Sequence, residues 1–171
     1  MKVLFWSAFV LWTAPLSSTA QQLTDLKHKD GMPVGHITFD PALDNPDFTL
    51  CGGTIQENYA VSGGYQGGRK RLLQLLEIKP LAKQRAIPIK TGYITVRFVV
   101  NCRGEVDRFR VLQIDRIYKP TIFDPAFVAA ILTFTKALDD WIPGQYQGSS
   151  YDYFQQLTFK INDGQVVDIL P

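Results

Sequence analysis

The sharpest polar and apolar pattern in the chain lies in "TGYITVRFVVNCRGEVDRFRVLQID", residues 91–115. Ile94, Val96, Phe98 and Val100 alternate with Tyr93, Thr95, Arg97 and Val99, the period-2 signature of a strand with one strongly buried face. "NCRG" then predicts a hairpin turn, because Asn and Gly tolerate the positive φ that such turns demand. On the return strand the first apolar positions are Val106, Phe109 and Val111. A gap of three followed by a gap of two breaks strict alternation and predicts a β-bulge near Asp107 and Arg108.

Two stretches carry helical spacing instead. In "FDPAFVAAILTFTKALDDW", Phe127, Val128, Ile131, Leu132 and Leu138 fall on one side. Asp124 is placed to cap the free amides, and Pro125 suits the first helical position, where its missing N–H has no partner to lose. "GGRKRLLQLLEIKP" reads as a glycine turn opening a shorter helix, with Leu72, Leu73 and Leu76 inward and Pro80 as its end. Pro143 and Gly144 predict a helix stop, with Trp141 and Ile142 covering the end of the core and "QYQGSS" a loop. Residues 151–161, "YDYFQQLTFKI", read as an aromatic-rich strand. A tight turn at "NDG" and a short last strand, "QVVDIL", follow.

The N-terminal half is less patterned. Residues 1–20 combine Lys2, an apolar run and small residues at Ser18 and Ala20, the makeup of a cleavable secretory signal peptide. The apolar run is well short of the roughly 20 residues a membrane-spanning helix needs. Residues 21–62 are broken by prolines and glycines and predict an extended leader, with one short strand at 35–39. The expected organisation is therefore signal peptide 1–20, leader 21–62 and a single domain over 63–171.

Charge and cysteine content narrow the function classes. A formal net charge of +2 over 171 residues gives no basic excess, so a nucleic-acid partner is not expected. The two cysteines, Cys51 and Cys102, in an exported chain point to a disulfide that staples the leader to the hairpin turn. With only His28 and His36 besides, no zinc-type spacing is present, so no metal is expected. Seven cations against one acid between positions 69 and 90 read most simply as a solvated helix face.

A catalytic centre is not legible. The glycines before α-helical residues 69–71 lack the Lys and Ser or Thr of a phosphate loop, so no nucleotide cofactor is expected. The stretch "ALDDWIPGQYQGSSYDYF" has the aspartates and aromatics of a carbohydrate-cleaving cleft. Asp139 and Asp140, however, are adjacent, and on a helix their side chains diverge by about 100°, so they do not flank one bond. Asp152 lies beyond a loop with nothing that fixes its distance to either. Ser149 and Ser150 have no nucleophile elbow. The expectation is a protein that is not an enzyme.

The order of "YQGGRKRLLQLL", "GYITVRFVVNCRGEVDRFRVLQID", "FDPAFVAAILTFTKALDDWIPG" and "YDYFQQLTFKI" resembles the C-terminal domain of the TonB energy transducers, in its compact, free-standing form. The resemblance runs over residues 65–161. It implies an α+β, two-layer fold with two helices packed on a small antiparallel sheet. It also implies a periplasmic or secreted, non-catalytic module. Such a module offers a free strand edge to an extended segment of an envelope protein or TonB-dependent receptor, by β-augmentation. Carried onto this chain, the recruiting strand contains Tyr151, Tyr153, Gln155, Leu157 and Phe159. The tail after 162 could instead fold back on that edge. The alternative is then a structural or glycan-binding envelope protein with a capped edge, using Tyr146, Tyr151, Tyr153 and the basic helix.

Overall fold

The computed structural model describes residues 36–85 and 88–170. The expected signal peptide, and the expected leader as far as residue 35, lie outside these. From residue 35 onward the chain forms one compact unit.

Within it the strands are β1 (Gln56–Glu57), β2 (Ser62–Tyr65), β3 (Gly92–Val100), β4 (Val106–Asp115), β5 (Trp141–Tyr146), β6 (Ser149–Tyr151), β7 (Tyr153–Asn162) and β8 (Gln165–Leu170). The helices are α1 (Gly68–Ile78) and α2 (Pro125–Lys136), with a single 3-10 turn at Asn58–Ala60. One sheet runs β1-β7-β3-β4, with β8 also paired to β7. A second, three-stranded sheet runs β2-β5-β6.

The expected fold of two helices on one small antiparallel sheet is therefore corrected. The protein is mixed α+β, but its described residues form eight strands in two sheets. Two misread segments account for the difference. "WIPGQY" is a strand, β5, and not the stop of α2 followed by a loop. It turns at Gln147 and Gly148, both at positive φ, into β6. Positive φ at both central residues matches the twist of the flanking strands, so "QYQGSS" is a hairpin. The second misreading is the end of the leader, where residues 62–65 form β2 and pair with β5. His36–Phe39, expected to be a strand, has no ladder partner.

Other elements follow their residues closely. β3 buries Ile94, Val96, Phe98 and Val100 toward the helices. The β3 and β4 register shifts between Arg97 and Val99, with Arg108 at φ 59°, so the bulge sits where the broken alternation placed it. In α2 the Asp124 carboxylate accepts the Ala126 N–H at 2.9 Å, with Pro125 at the first position. Ile131, Phe127 and Phe134 pack on the sheet. α1 buries Leu72 fully and Leu73, Leu75 and Leu76 in part.

The opposite face of the large sheet is covered near Val99 and Phe154 by the chain entering from residue 36. Ile37 joins these two in a small core, with Phe48, Leu50 and Ile55 packed around it. The expected disulfide, Cys51 to Cys102, fastens this strap to the β3–β4 turn, with Cα atoms 5.9 Å apart. An ion pair holds its other end: Arg110 donates through Nη1 and Nη2 to both Asp44 oxygens, at 2.7 and 2.8 Å.

Candidate functional site

The strand β7 was expected to recruit a partner through a free edge. One of its edges is fully paired to β3, from Tyr153 to Ile161. The other carries β1 in parallel at Tyr153 and Phe154, then β8 antiparallel from Thr158 to Asn162. Between them the Gln156 N–H is taken by its neighbour's side chain, Gln155 Oε1, at 2.8 Å. Asn58 Nδ2 donates to the same oxygen at 3.4 Å. β1, the Gln155 side chain and β8 thus cover most of this edge, at Tyr153–Phe154, at the Gln156 N–H and from Thr158 to Asn162.

The side chains of that strand point inward as well. Tyr153, Leu157 and Phe159 are buried on the helix side, and Gln155 is nearly so. Tyr151 belongs to β6 and is half-buried. Tyr153 links the two sheets: its hydroxyl donates to the Ile142 carbonyl at 2.9 Å and accepts the Gly64 N–H at 2.9 Å. The β2 and β5 ladder shifts register between Ser62 and Gly64, beside Pro143, which has no N–H, and the phenol bridges the paired residues Gly64 and Ile142 there. Room for the ring depends on two glycines. A Cβ on Gly63 would lie 2.8 Å from Tyr153 Cζ, and one on Gly144 2.9 Å from Cδ1. Burial pushes the Tyr153 hydroxyl up to about 12, against a smaller opposing effect of the Gly64 N–H.

What stays open is a groove between the start of the large sheet and the β5–β6 hairpin. It is lined by Gln56, Ala60, Val61, Tyr146 and Tyr151, with a volume of about 490 Å³. Tyr146 is half exposed, and its hydroxyl accepts from Gln147 Nε2 at 3.2 Å. Gln145 Nε2 donates to Ser150 Oγ at 2.7 Å across the hairpin. The groove thus combines two tyrosines, small apolar residues and the Gln56 side chain, whose Nε2 donates to the Thr54 carbonyl at 3.0 Å and whose Oε1 remains as an acceptor. Sequence reading found the tyrosines through their density. Gln56, Ala60 and Val61 carried no signal, because they lie in a segment without periodicity.

The three aspartates of the tyrosine-rich stretch stand in different settings among the described residues. Asp152 is buried, and its Oδ2 and Oδ1 accept the N–H groups of Cys51 and Cys102, both at 2.9 Å. Ligand atoms of Cys51, Cys102 and Asp152 lie within 4.8 Å of one another. The sulfurs are bonded to each other and both oxygens are engaged, so the cluster is a staple and offers a metal no thiolate. Asp139 and Asp140 are exposed beyond α2. Burial raises the Tyr65 hydroxyl above its usual range, and these two carboxylates add to the effect.

Of the basic helix face, Arg69 is occupied. It pairs with Asp168 at 2.5 Å and donates through Nε to the Ile169 carbonyl at 3.1 Å. No helix of the described residues is long and apolar enough to cross a membrane. No family model matches the chain, and no curated protein or solved structure is significantly similar to it.

Proposed function

We propose that the protein is an exported, non-catalytic module of the cell envelope that binds carbohydrate in the groove between β1 and the β5–β6 hairpin. The observation that carries this reading is the pairing of Tyr146 and Tyr151 with Gln56 along one open groove. Tyrosine rings present a flat apolar face to the C–H face of a pyranose, and their hydroxyls and a nearby amide serve its equatorial hydroxyls. The closed edges of β7 support the same reading, because they leave recognition to side chains. A structural disulfide supports an oxidising compartment, periplasmic or secreted.

Titration calorimetry against neutral hexasaccharides of glucose, N-acetylglucosamine and xylose tests it. Binding by at least one of them, lost in Tyr146→Ala and Tyr151→Ala, is the expected result. Failure of all three to bind the native protein would count against the groove.

A second reading keeps the TonB-like mode. β8 is the chain's own last strand and holds the β7 edge that a receptor-type segment would use. In this reading a peptide replaces β8 and adds its backbone to β7. Removing residues 165–171 should then create or tighten binding of an extended peptide. Equal indifference of both forms would exclude it.

A further inference from the structure

At the end of the large sheet away from the disulfide, one exposed residue is held in an unusual backbone. Tyr118 has φ 63°, the left-handed region that non-glycine residues seldom occupy. The turn around it is firmly tied. Asp115 Oδ1 accepts the N–H groups of Ile117 and Lys119 at 2.8 and 2.9 Å. The Asp115 N–H donates to the Lys119 carbonyl, and the Tyr118 N–H to the Asp115 carbonyl. The outcome is a tyrosine ring laid parallel to that of Tyr93, with centroids 5.9 Å apart and planes 6° from parallel. Tyr118 is nonetheless 72 % exposed. A strained backbone that holds a large aromatic ring in water, where it adds little to the core, is a feature that points to binding.

The charge beside it points the same way. Lys160 stands directly opposite Tyr93 in the β3 and β7 register, hence on the same face. Its other cross-strand neighbour is Asp168, but that carboxylate already holds Arg69 and the Ile169 N–H. Two residues along from Thr95, Arg97 lies over the Phe154 ring at 6.0 Å. The ion pairs among the described residues are Arg69–Asp168, Arg103–Glu105 and Arg110–Asp44. Lys160 is exposed and Arg97 half-buried, and neither forms an ion pair among the described residues.

We propose that Tyr118, stacked on Tyr93 and flanked by Lys160, is a binding site for an acidic sugar, a pyranose bearing a carboxylate. The ring's C–H face rests on the free face of Tyr118, and the carboxylate meets the Lys160 ammonium, with Arg97 placed for a following residue of the chain. A flat pleated surface with a stacked aromatic suits a flat ring better than peptide side chains, which need pockets. The inference extends the carbohydrate reading to a second surface, remote from the groove along β7, and rests on that reading only for the class of ligand.

The test uses oligogalacturonate of defined length as the probe, with neutral glucose oligomers as control, in low and moderate salt. Binding of the acidic oligomer, weakened by salt, is expected. Tyr118→Gly removes the ring and also suits the left-handed backbone, so the fold is retained; it should weaken binding at least tenfold. Lys160→Gln should weaken the acidic oligomer several-fold and reduce the salt dependence, leaving the part owed to Arg97. Tyr146→Ala with Tyr151→Ala should leave acidic binding unchanged, which separates this site from the groove. Absence of binding to the native protein, equal binding of neutral oligomers, or indifference to Tyr118→Gly would each overturn the proposal.

Discussion

The Tyr153 hydroxyl stands 2.9 Å from the Gly64 amide nitrogen and stitches a strand of the large sheet to the small one. Removing it in Tyr153→Phe leaves Gly64 N–H and Ile142 C=O facing each other without a partner. Both groups lie at a partly exposed position, so the cost is toward the lower end of the range for lost hydrogen bonds, about 1 kcal/mol, and the urea midpoint should fall while the fold persists. Because burial raises this hydroxyl to about 12 from an ordinary value of 10, the folded state holds its proton more tightly. The contribution is complete below about pH 10 and is lost as pH rises toward 12. Alkaline unfolding should show a larger loss in native protein than in Tyr153→Phe, in which the buried Tyr65 still contributes.

The staple between Cys51 and Cys102 closes a separation of 51 residues. In the chain-entropy account that is worth about 4 kcal/mol. Replacing both cysteines by alanine should lower stability by up to that amount. Hydrogen exchange should rise first in residues 37–50, which cover Val99 and Phe154. Asp152 also loses its setting there, since it binds the amides of both cysteines.

Acid should release the same strap from its other end. Burial by itself would raise the Asp44 carboxyl, but hydrogen bonds from Arg110 and the Asp40 N–H outweigh it and hold the group below its ordinary 3.8. A depressed folded value means stability that is present above about pH 4 and is lost as pH falls through the folded value. Native protein titrated downward should lose protection around residues 38–45, and Asp44→Asn should show that state already at pH 7. An unchanged exchange pattern in Asp44→Asn would remove the ion pair from the account.

Side chains also blunt the exposed strand β8. The two-residue turn Asp163–Gly164 sets a register in which the Ile169 main-chain groups face away from β7. Asp168 Oδ1 accepts the Ile169 N–H at 2.8 Å, and Arg69 takes its carbonyl. Open edges invite pairing between molecules. The double variant Arg69→Ala, Asp168→Ala should therefore associate with rising concentration in light scattering, where the native protein does not.

Local chemistry made much of this protein legible in advance. The β3 and β4 alternation, the bulge at Arg108, the Asp124 and Pro125 start of α2, the "NDG" turn and the disulfide all depend on neighbours in sequence or on there being just two cysteines to pair. They needed no knowledge of what packs where.

The rest was settled at long range. "WIPGQY" became a strand because β2 and β6 both pair with it, and Tyr153 bridges the Gly64 N–H and the Ile142 carbonyl where that ladder is irregular. Residues 36–62 joined the body because one sheet face offers Val99 and Phe154 for burial. Likewise the edge of β7 closed because the chain's end returns to it, and Tyr118 became a platform because its turn sets it on Tyr93. Sequence by itself determined the periodic elements and their caps. Tertiary structure decided sheet membership, which edges are filled and which tyrosines remain at the surface, since each depends on cross-strand partners far apart along the chain.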